Sequence, residues 1–146
     1  MCIHNLSEIV NAHLLPGPGI VEGLKPIGMA KNRGLLLIAQ MSSAGNLLTE
    51  AYTQQTIEIS EKHADFVIGF VAKKQLTKDP RFIHFTPGVQ FRTQQDTLGQ
   101  QYVTPEQALV ENQTDIMLVG RGIYQAKNPK EEAMRYQEAG WVYSHQ

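Results

Sequence analysis

The sequence lacks the features that mark several classes of protein. Its one cysteine, Cys2, cannot form an internal disulfide, and no basic cluster surrounds it that would activate the thiol. No apolar stretch approaches the ~20 residues that a membrane-spanning helix needs. The first ten residues contain no apolar segment of the secretory type, so we expect a cytoplasmic protein without membrane contact.

The sequence has neither a strong excess of one charge sign nor a metal-binding pattern. The 146 residues carry 13 Lys and Arg against 14 Asp and Glu, a net charge of -1, and no basic run stands out. Nucleic-acid binding, which needs dense positive charge, is therefore not expected. None of the five histidines shows metal-ligand spacing, and no P-loop, G-x-G-x-x-G or G-x-S-x-G motif is present.

Short apolar runs, separated by polar loops and amphipathic stretches, are what the sequence does contain. The runs are residues 9–13, which is the weakest, 35–39, 66–71, 82–85 and 116–119. Runs that are apolar on both faces suit parallel strands covered by helices. Strands that alternate with helices predict an α/β fold with a parallel sheet, either a small open sheet or part of a barrel.

Helix signals lie between these runs. Thr104-Pro105-Glu106-Gln107 combines an N-cap, a proline at the first helical position and a glutamine in the capping-box place, and Asn128-Pro129 opens the last helix similarly. A weaker helix is predicted over residues 19–30 because Pro26 interrupts it. For the helix over residues 49–64, the face expected to be buried carries Tyr52, Thr56, Ile59 and His63.

Functional residues of parallel α/β folds follow the carboxyl ends of the strands. Gly120-Arg121-Gly122 follows the last run, where glycines admit a ligand near the backbone and the planar Arg121 fork suits a phosphate. A glycine turn with a solvated arginine explains these residues equally well. The long connection that ends at Gln100 and Tyr102 suggests a lid that contacts a nucleobase and a phosphate, although a variable surface loop is the simpler explanation.

Two more groups of polar residues also follow strands. Ser42 and Ser43 come after the second run and could offer hydroxyls to a ring, but a helix N-cap is the simpler role. Lys73, Lys74 and Lys78 come after the third run, and we interpret them as a solvated surface cluster.

Taken in order, these segments resemble a known family. The matching segments are residues 9–13, 17–21, 34–43, 65–70, 86–89, 98–102 and 115–122. They resemble orotidine 5'-phosphate decarboxylase, of the type found as the C-terminal domain of eukaryotic UMP synthase, over nearly the whole chain. The resemblance implies the C-terminal portion of a (β/α)8 TIM barrel, about strands 4 to 8, with residues 1–146 forming one partial decarboxylase domain.

The resemblance also implies a substrate and the residues that bind it. The implied reaction is decarboxylation of orotidine 5'-phosphate to UMP, in de novo pyrimidine biosynthesis, by a homodimer that uses no cofactor or metal. Three residues would surround the pyrimidine and the lid, namely Ser42, Pro87 and Gln100. Three would bind the phosphate, namely Tyr102, Arg121 and, through its backbone N–H, Gly120, with Gln100 bridging to them.

The chain departs from the family pattern in two respects. Gln40 stands where family members usually have Glu, and the family's proton-donating Asp-x-Lys-x-x-Asp motif occurs nowhere in the 146 residues. We therefore expect the chain alone to be inactive. It is either part of a decarboxylase or a non-catalytic nucleotide-phosphate-binding half-barrel or assembly partner. An unrelated phosphate-binding barrel enzyme is a third possibility, against which the order of the motifs argues.

Overall fold

The computed structural model describes residues 7–92 and 99–145. Cys2 and part of the predicted lid, residues 93–98, lie outside the described residues. The chain divides into two compact units. The first unit comprises Met1–Gln40, Leu48–Val71 and Leu76–Ile83, and the second comprises Met41–Leu47, Ala72–Gln75 and His84–Gln146. Within the described ranges, no helix has both the length and the apolar character to cross a membrane.

The first unit is a three-stranded parallel sheet with two helices. Its elements are β1 (Ile9–His13), α1 (Gly19–Met29), β2 (Gly34–Ile38), α2 (Glu50–Lys62) and β3 (Val67–Val71). β2 pairs in parallel with both β1 and β3, so it is the central strand of the three. Leu35, Leu37 and Phe70 are fully buried, as expected for strands covered on both faces.

Helix α2 buries a face that only partly matches the predicted one, with Thr56 common to both. Its buried residues are Thr53, Thr56 and Ser60, whereas Tyr52 and Ile59 are only half-buried. The small hydroxyl side chains satisfy their own hydrogen bonds. Thr53 donates to the carbonyl of Ala39 at 3.0 Å, and Ser60 donates to that of Thr56 at 2.7 Å. A polar stripe can therefore be buried without unpaired groups, which apolar periodicity alone does not indicate.

The second unit contains the remaining elements. They are β4 (Ile83–Pro87), which belongs to this unit from His84 onward, a π-helical turn (Gln107–Glu111), β5 (Ile116–Leu118), α3 (Arg121–Tyr124) and α4 (Pro129–Ser144). β4 and β5 pair in parallel, with Phe85 opposite Ile116. The core of this unit is built from Val89, Ala108 and Tyr136.

The two predicted helix starts are correct in atomic detail. The backbone N–H of Gln107 donates to the Thr104 hydroxyl at 3.1 Å, and the backbone N–H of Thr104 donates to the Gln107 side chain at 3.0 Å, which is a reciprocal capping box. At the start of α4, the side chain of Asn128 accepts from the backbone N–H of Glu131 at 3.4 Å. The helix of residues 19–30 also forms, with Pro26 inside it.

Five parallel-paired strands therefore stand where the five apolar runs predicted them. The α/β class of the prediction is confirmed, and each strand matches its run to within a residue or two. Assignment of these strands to positions 4 to 8 of a barrel remains a prediction.

Candidate functional site

The second unit brings Ser42 and Gln100 together across 58 residues of sequence. The side-chain amide of Gln100 donates to the Ser42 hydroxyl at 2.6 Å. Backbone pairing holds the two segments antiparallel, since Ala44 N–H donates to Gly99 at 2.9 Å and Gln101 N–H donates to the carbonyl of Ser42 at 3.1 Å. Ser42 is thus no helix N-cap. Thr49 caps the following helix, so the simpler explanation of Ser42 is wrong.

Gly88 makes this arrangement possible. Its φ of +75° is a left-handed conformation, and a β-carbon built there would lie 2.6 Å from the Gln100 side-chain nitrogen and 2.9 Å from the carbonyl oxygen of Gln101. The glycine of the Thr-Pro-Gly segment therefore lets the backbone after β4 pass directly beneath Gln100. Gly88 also accepts a hydrogen bond from the N–H of Val103 at 3.0 Å, which joins the two stretches.

Tyr102 and Arg121, the two predicted phosphate ligands, are in contact. The guanidinium carbon of Arg121 lies 5.4 Å from the centroid of the Tyr102 ring. Arg121 opens the short helix α3, directly after Gly120 and β5. Gly122 is needed there for close packing, because a β-carbon at that position would lie 2.6 Å from the hydroxyl of Tyr136. Gly122 thus has a packing role beside any ligand role.

A cavity of about 300 Å³ lies in the second unit beside these residues. Its volume is at the lower end of the range usual for small-molecule sites. The residues that line it are Ser42, Lys73, Thr86, Pro87, Gln101, Tyr102 and Val103. Three predicted site residues, Ser42, Pro87 and Tyr102, therefore face one space, and Gln100 fixes the first of them.

Arg121 lines a second, larger cavity instead. This space of about 600 Å³ is also bordered by Arg92, Lys127 and Arg135. Gly120 is exposed at the start of α3 and borders neither cavity among the described residues. The contact between Tyr102 and Arg121 is the link between the pyrimidine and phosphate parts of the predicted site.

Four residues that line the first cavity had no predicted role in ligand binding, namely Lys73, Thr86, Gln101 and Val103. Lys73, interpreted as solvated surface, is exposed and also lines the cavity, whereas Lys74 does not line it. Thr86 is 1% exposed, and its hydroxyl has no hydrogen-bond partner among the described residues. The only sequence signal for Thr86 was its place at the carboxyl end of a strand.

A buried histidine lies two residues before Thr86 on β4. Because alternate residues of a strand face the same side, His84 and Thr86 share a face. The backbone N–H of His84 donates to the Asp115 carboxylate at 2.7 Å, and its ring nitrogen Nδ1 lies 3.3 Å from the same oxygen. Burial lowers the pKa of His84 below its ordinary 6.5, and the opposing effect of Asp115 is smaller.

Metal chemistry has no cluster of ligands to support it in the described ranges. No group of three or more His, Cys, Asp or Glu side chains is close enough there to hold an ion. The cavity lined by Ser42 and Tyr102 instead offers hydroxyl, amide and ammonium groups. Such groups recognise a ligand that carries both a polar ring and negative charge.

The family of the chain follows from its match to a family model. Residues 1–136 match the model described as Orotidine 5'-phosphate decarboxylase / HUMPS family. The chain belongs to that family. The resemblance inferred from the ordered motifs is therefore confirmed.

Curated members of the decarboxylase family are similar over almost all of this chain but extend well beyond it. Orotidine 5'-phosphate decarboxylase from Schizosaccharomyces pombe is 48% identical over 141 residues, which is 95% of this chain and 53% of that protein. Uridine 5'-monophosphate synthase from Bos taurus is 43% identical over 139 residues, which is 95% of this chain and 29% of that protein. The chain thus spans about half the length of the decarboxylases that it matches.

Solved structures of the same family share the fold. Orotidine 5'-monophosphate decarboxylase from Sulfolobus solfataricus superposes with a TM-score of 0.71 at 21% identity, covering 94% of this chain and 63% of that one. The enzyme from Methanocaldococcus jannaschii, complexed with the inhibitor BMP, superposes with a TM-score of 0.68 at 22% identity. The match covers 92% of this chain and 62% of that one. At these identities the likeness supports the α/β fold alone.

Proposed function

We propose that this chain supplies the pyrimidine- and phosphate-binding half of an orotidine 5'-phosphate decarboxylase, which converts orotidine 5'-phosphate to UMP in pyrimidine biosynthesis. The observation that carries the proposal is the position of Tyr102. Its side chain lines the cavity that holds Ser42 and also contacts Arg121. One residue thus joins a ring-sized polar cavity to a phosphate-binding side chain, as a nucleotide requires.

Each predicted residue has a distinct task in this proposal. The Ser42 hydroxyl, oriented by Gln100, hydrogen-bonds the edge of the pyrimidine, and Pro87 packs against the ring. Arg121 forms paired charge-assisted hydrogen bonds with the phosphate, and the Tyr102 hydroxyl and the Gly120 N–H donate to it. Binding energy from the phosphate, remote from the reacting carbon, can be used to close the site and stabilise the transition state.

The wider architecture in the proposal follows the family. Residues 1–146 form one partial domain that corresponds to about strands 4 to 8 of a (β/α)8 barrel, and the working enzyme is a cytoplasmic homodimer. Family membership and the parallel α/β fold support this arrangement. The reaction proposed needs no cofactor, because the family mechanism uses a lysine between aspartates to protonate the product carbon.

That lysine and its aspartates are not in this sequence, so we propose that the chain binds nucleotide but does not release CO₂ by itself. None of its four aspartates begins an Asp-x-Lys-x-x-Asp pattern. A non-catalytic nucleotide-phosphate-binding half-barrel or assembly partner is the second candidate function.

Binding and turnover assays on the purified chain test the proposal. We expect UMP to bind in calorimetry, no CO₂ release from labelled orotidine 5'-phosphate, and activity after mixing with a chain that carries the Asp-x-Lys-x-x-Asp strand. A chain that binds no UMP contradicts the proposed function. Binding without activity in the mixture favours the half-barrel, and CO₂ release by the chain alone contradicts its inactivity.

A further inference from the structure

The backbone around Lys73 is fixed on both sides. The N–H of Ala72 donates to the carbonyl of Phe85 on β4 at 3.0 Å, and the N–H of Gln75 donates to that of Asn112 at 2.8 Å. All these residues belong to the second unit. The short segment of residues 72–75 is therefore tied to the wall of the cavity, and Lys73 is the residue of this segment that lines it.

Lys73 gives this cavity a positive charge. The other described lining residues are neutral, and they include the hydroxyls of Ser42, Thr86 and Tyr102. A cation on the wall of a concave space attracts anions more strongly than one on a flat surface. An ammonium group binds carboxylate and phosphate as a compact point charge. The chain as a whole has a net charge of -1, so this local charge is a property of the cavity.

We infer that Lys73 is a specificity-determining residue that pairs with an anionic group of the bound nucleotide. The inference rests on the proposed function, which supplies the ligand class. Orotidine 5'-phosphate carries a carboxylate and a phosphate, UMP carries the phosphate alone, and uridine carries neither. The shared chemistry is an ammonium–oxyanion pair. The buried Thr86 hydroxyl, which has no partner among the described residues, supplies a hydrogen-bonding group to the same wall.

Calorimetric titration of orotidine 5'-phosphate, UMP and uridine into the 146-residue chain tests this role. The test variant is Lys73→Met, with Lys73→Arg as the conservative rescue. Lys74→Met is the matched control, because Lys74 carries the same charge one residue away but does not line the cavity. Both positions are exposed, so neither substitution should impair folding.

We expect Lys73→Met to weaken binding of orotidine 5'-phosphate about tenfold, the usual scale of one charge-assisted contact, with Lys73→Arg close to wild type. Unchanged UMP affinity would identify the carboxylate as the partner, and an equal loss for UMP would identify the phosphate. If Lys73→Met weakens nucleotide binding no more than Lys74→Met does, or weakens uridine binding equally, the inference about Lys73 is overturned and the proposed function is not. A wild-type chain that binds neither nucleotide overturns the proposed function as well.

Discussion

The side-chain amide of Gln100 donates a 2.6 Å hydrogen bond to the hydroxyl of Ser42. This bond links the segment that follows β2 in the chain to the end of the predicted lid. It occupies one lone pair of the Ser42 hydroxyl and so restricts the directions in which the O–H and the remaining lone pair can meet a ligand in the neighbouring cavity. The ligand hydrogen bond proposed for Ser42 therefore depends on Gln100, even if Gln100 itself contacts no ligand.

A double-mutant cycle measures this dependence. Ser42→Ala and Gln100→Leu should each weaken UMP binding, and the double variant should lose less than the sum, with a coupling of about 1 kcal/mol. The physical reason is that either change alone removes the same oriented hydroxyl–amide pair. Isothermal titration of the four proteins gives the coupling, and strictly additive losses would show that the two residues act independently.

Gly88 should tolerate no side chain, in contrast to Gly45. Both have left-handed backbones, with φ of +75° and +68°, but only at Gly88 would a β-carbon meet other atoms within 3.0 Å. We expect Gly45→Ala to lower the free energy of unfolding by about 1 kcal/mol, from backbone strain alone. Gly88→Ala should lower it by ~2–4 kcal/mol and weaken UMP binding. Urea denaturation compares them, and equal losses would refute the packing argument.

Arg121 should recognise the phosphate through its planar fork and not through charge alone. Arg121→Lys keeps the charge but loses bidentate geometry, so we expect UMP affinity to fall by about tenfold, and Arg121→Met to lower it further. Uridine binding should be unaffected by both. Arg33→Met, which removes a cation from the first unit, is the control. If uridine and UMP lose affinity together, Arg121 acts on the structure and not on the phosphate.

Thr86 and Thr114 are two buried threonines that differ in the hydrogen bonding of the hydroxyl. Thr114 is 5% exposed and donates to the carbonyl of Ala108 at 2.7 Å, whereas the Thr86 hydroxyl has no partner among the described residues. Thr114→Val should lower the free energy of unfolding by about 1 kcal/mol. Thr86→Val should leave the free energy of unfolding of the unliganded chain unchanged or raise it by up to ~1 kcal/mol. Thermal unfolding tests both, and a destabilised Thr86→Val would show that its hydroxyl is already satisfied.

His84 should make the fold sensitive to mild acid. Its folded pKa is lowered by burial below the ordinary 6.5, so below that pH the unfolded chain binds a proton that the folded chain resists. The contribution of His84 to stability is therefore complete above pH 6.5 and lost as the pH falls toward the folded pKa. We expect His84→Asn to flatten the decline in unfolding free energy as the pH falls below 6.5. Identical slopes for wild type and His84→Asn would contradict the prediction.

The strands and helix starts were predictable because they depend on local chemistry. The run of residues 35–39 forms β2, since leucines on both faces need cover on both sides. The Thr104 and Gln107 capping box closes as the four-residue pattern indicates. The buried face of α2 was predicted only in part. Thr56 was included, but Thr53 and Ser60 were missed because their hydroxyls bond to backbone carbonyls, which hydrophobic periodicity does not indicate.

The sequence by itself determined the α/β class, the family and the candidate residues at the strand ends, because these depend on short-range patterns and on the order of motifs. Only the tertiary structure decided which of these residues meet. Contact between Ser42 and Gln100, or between Tyr102 and Arg121, requires backbone pairing between distant segments. Gly88 permits the first contact, since no β-carbon fits beneath Gln100. Lys73 lines a cavity because the bonds from Ala72 to Phe85 and from Gln75 to Asn112 hold its segment there, and such long-range contacts are not visible in the local sequence.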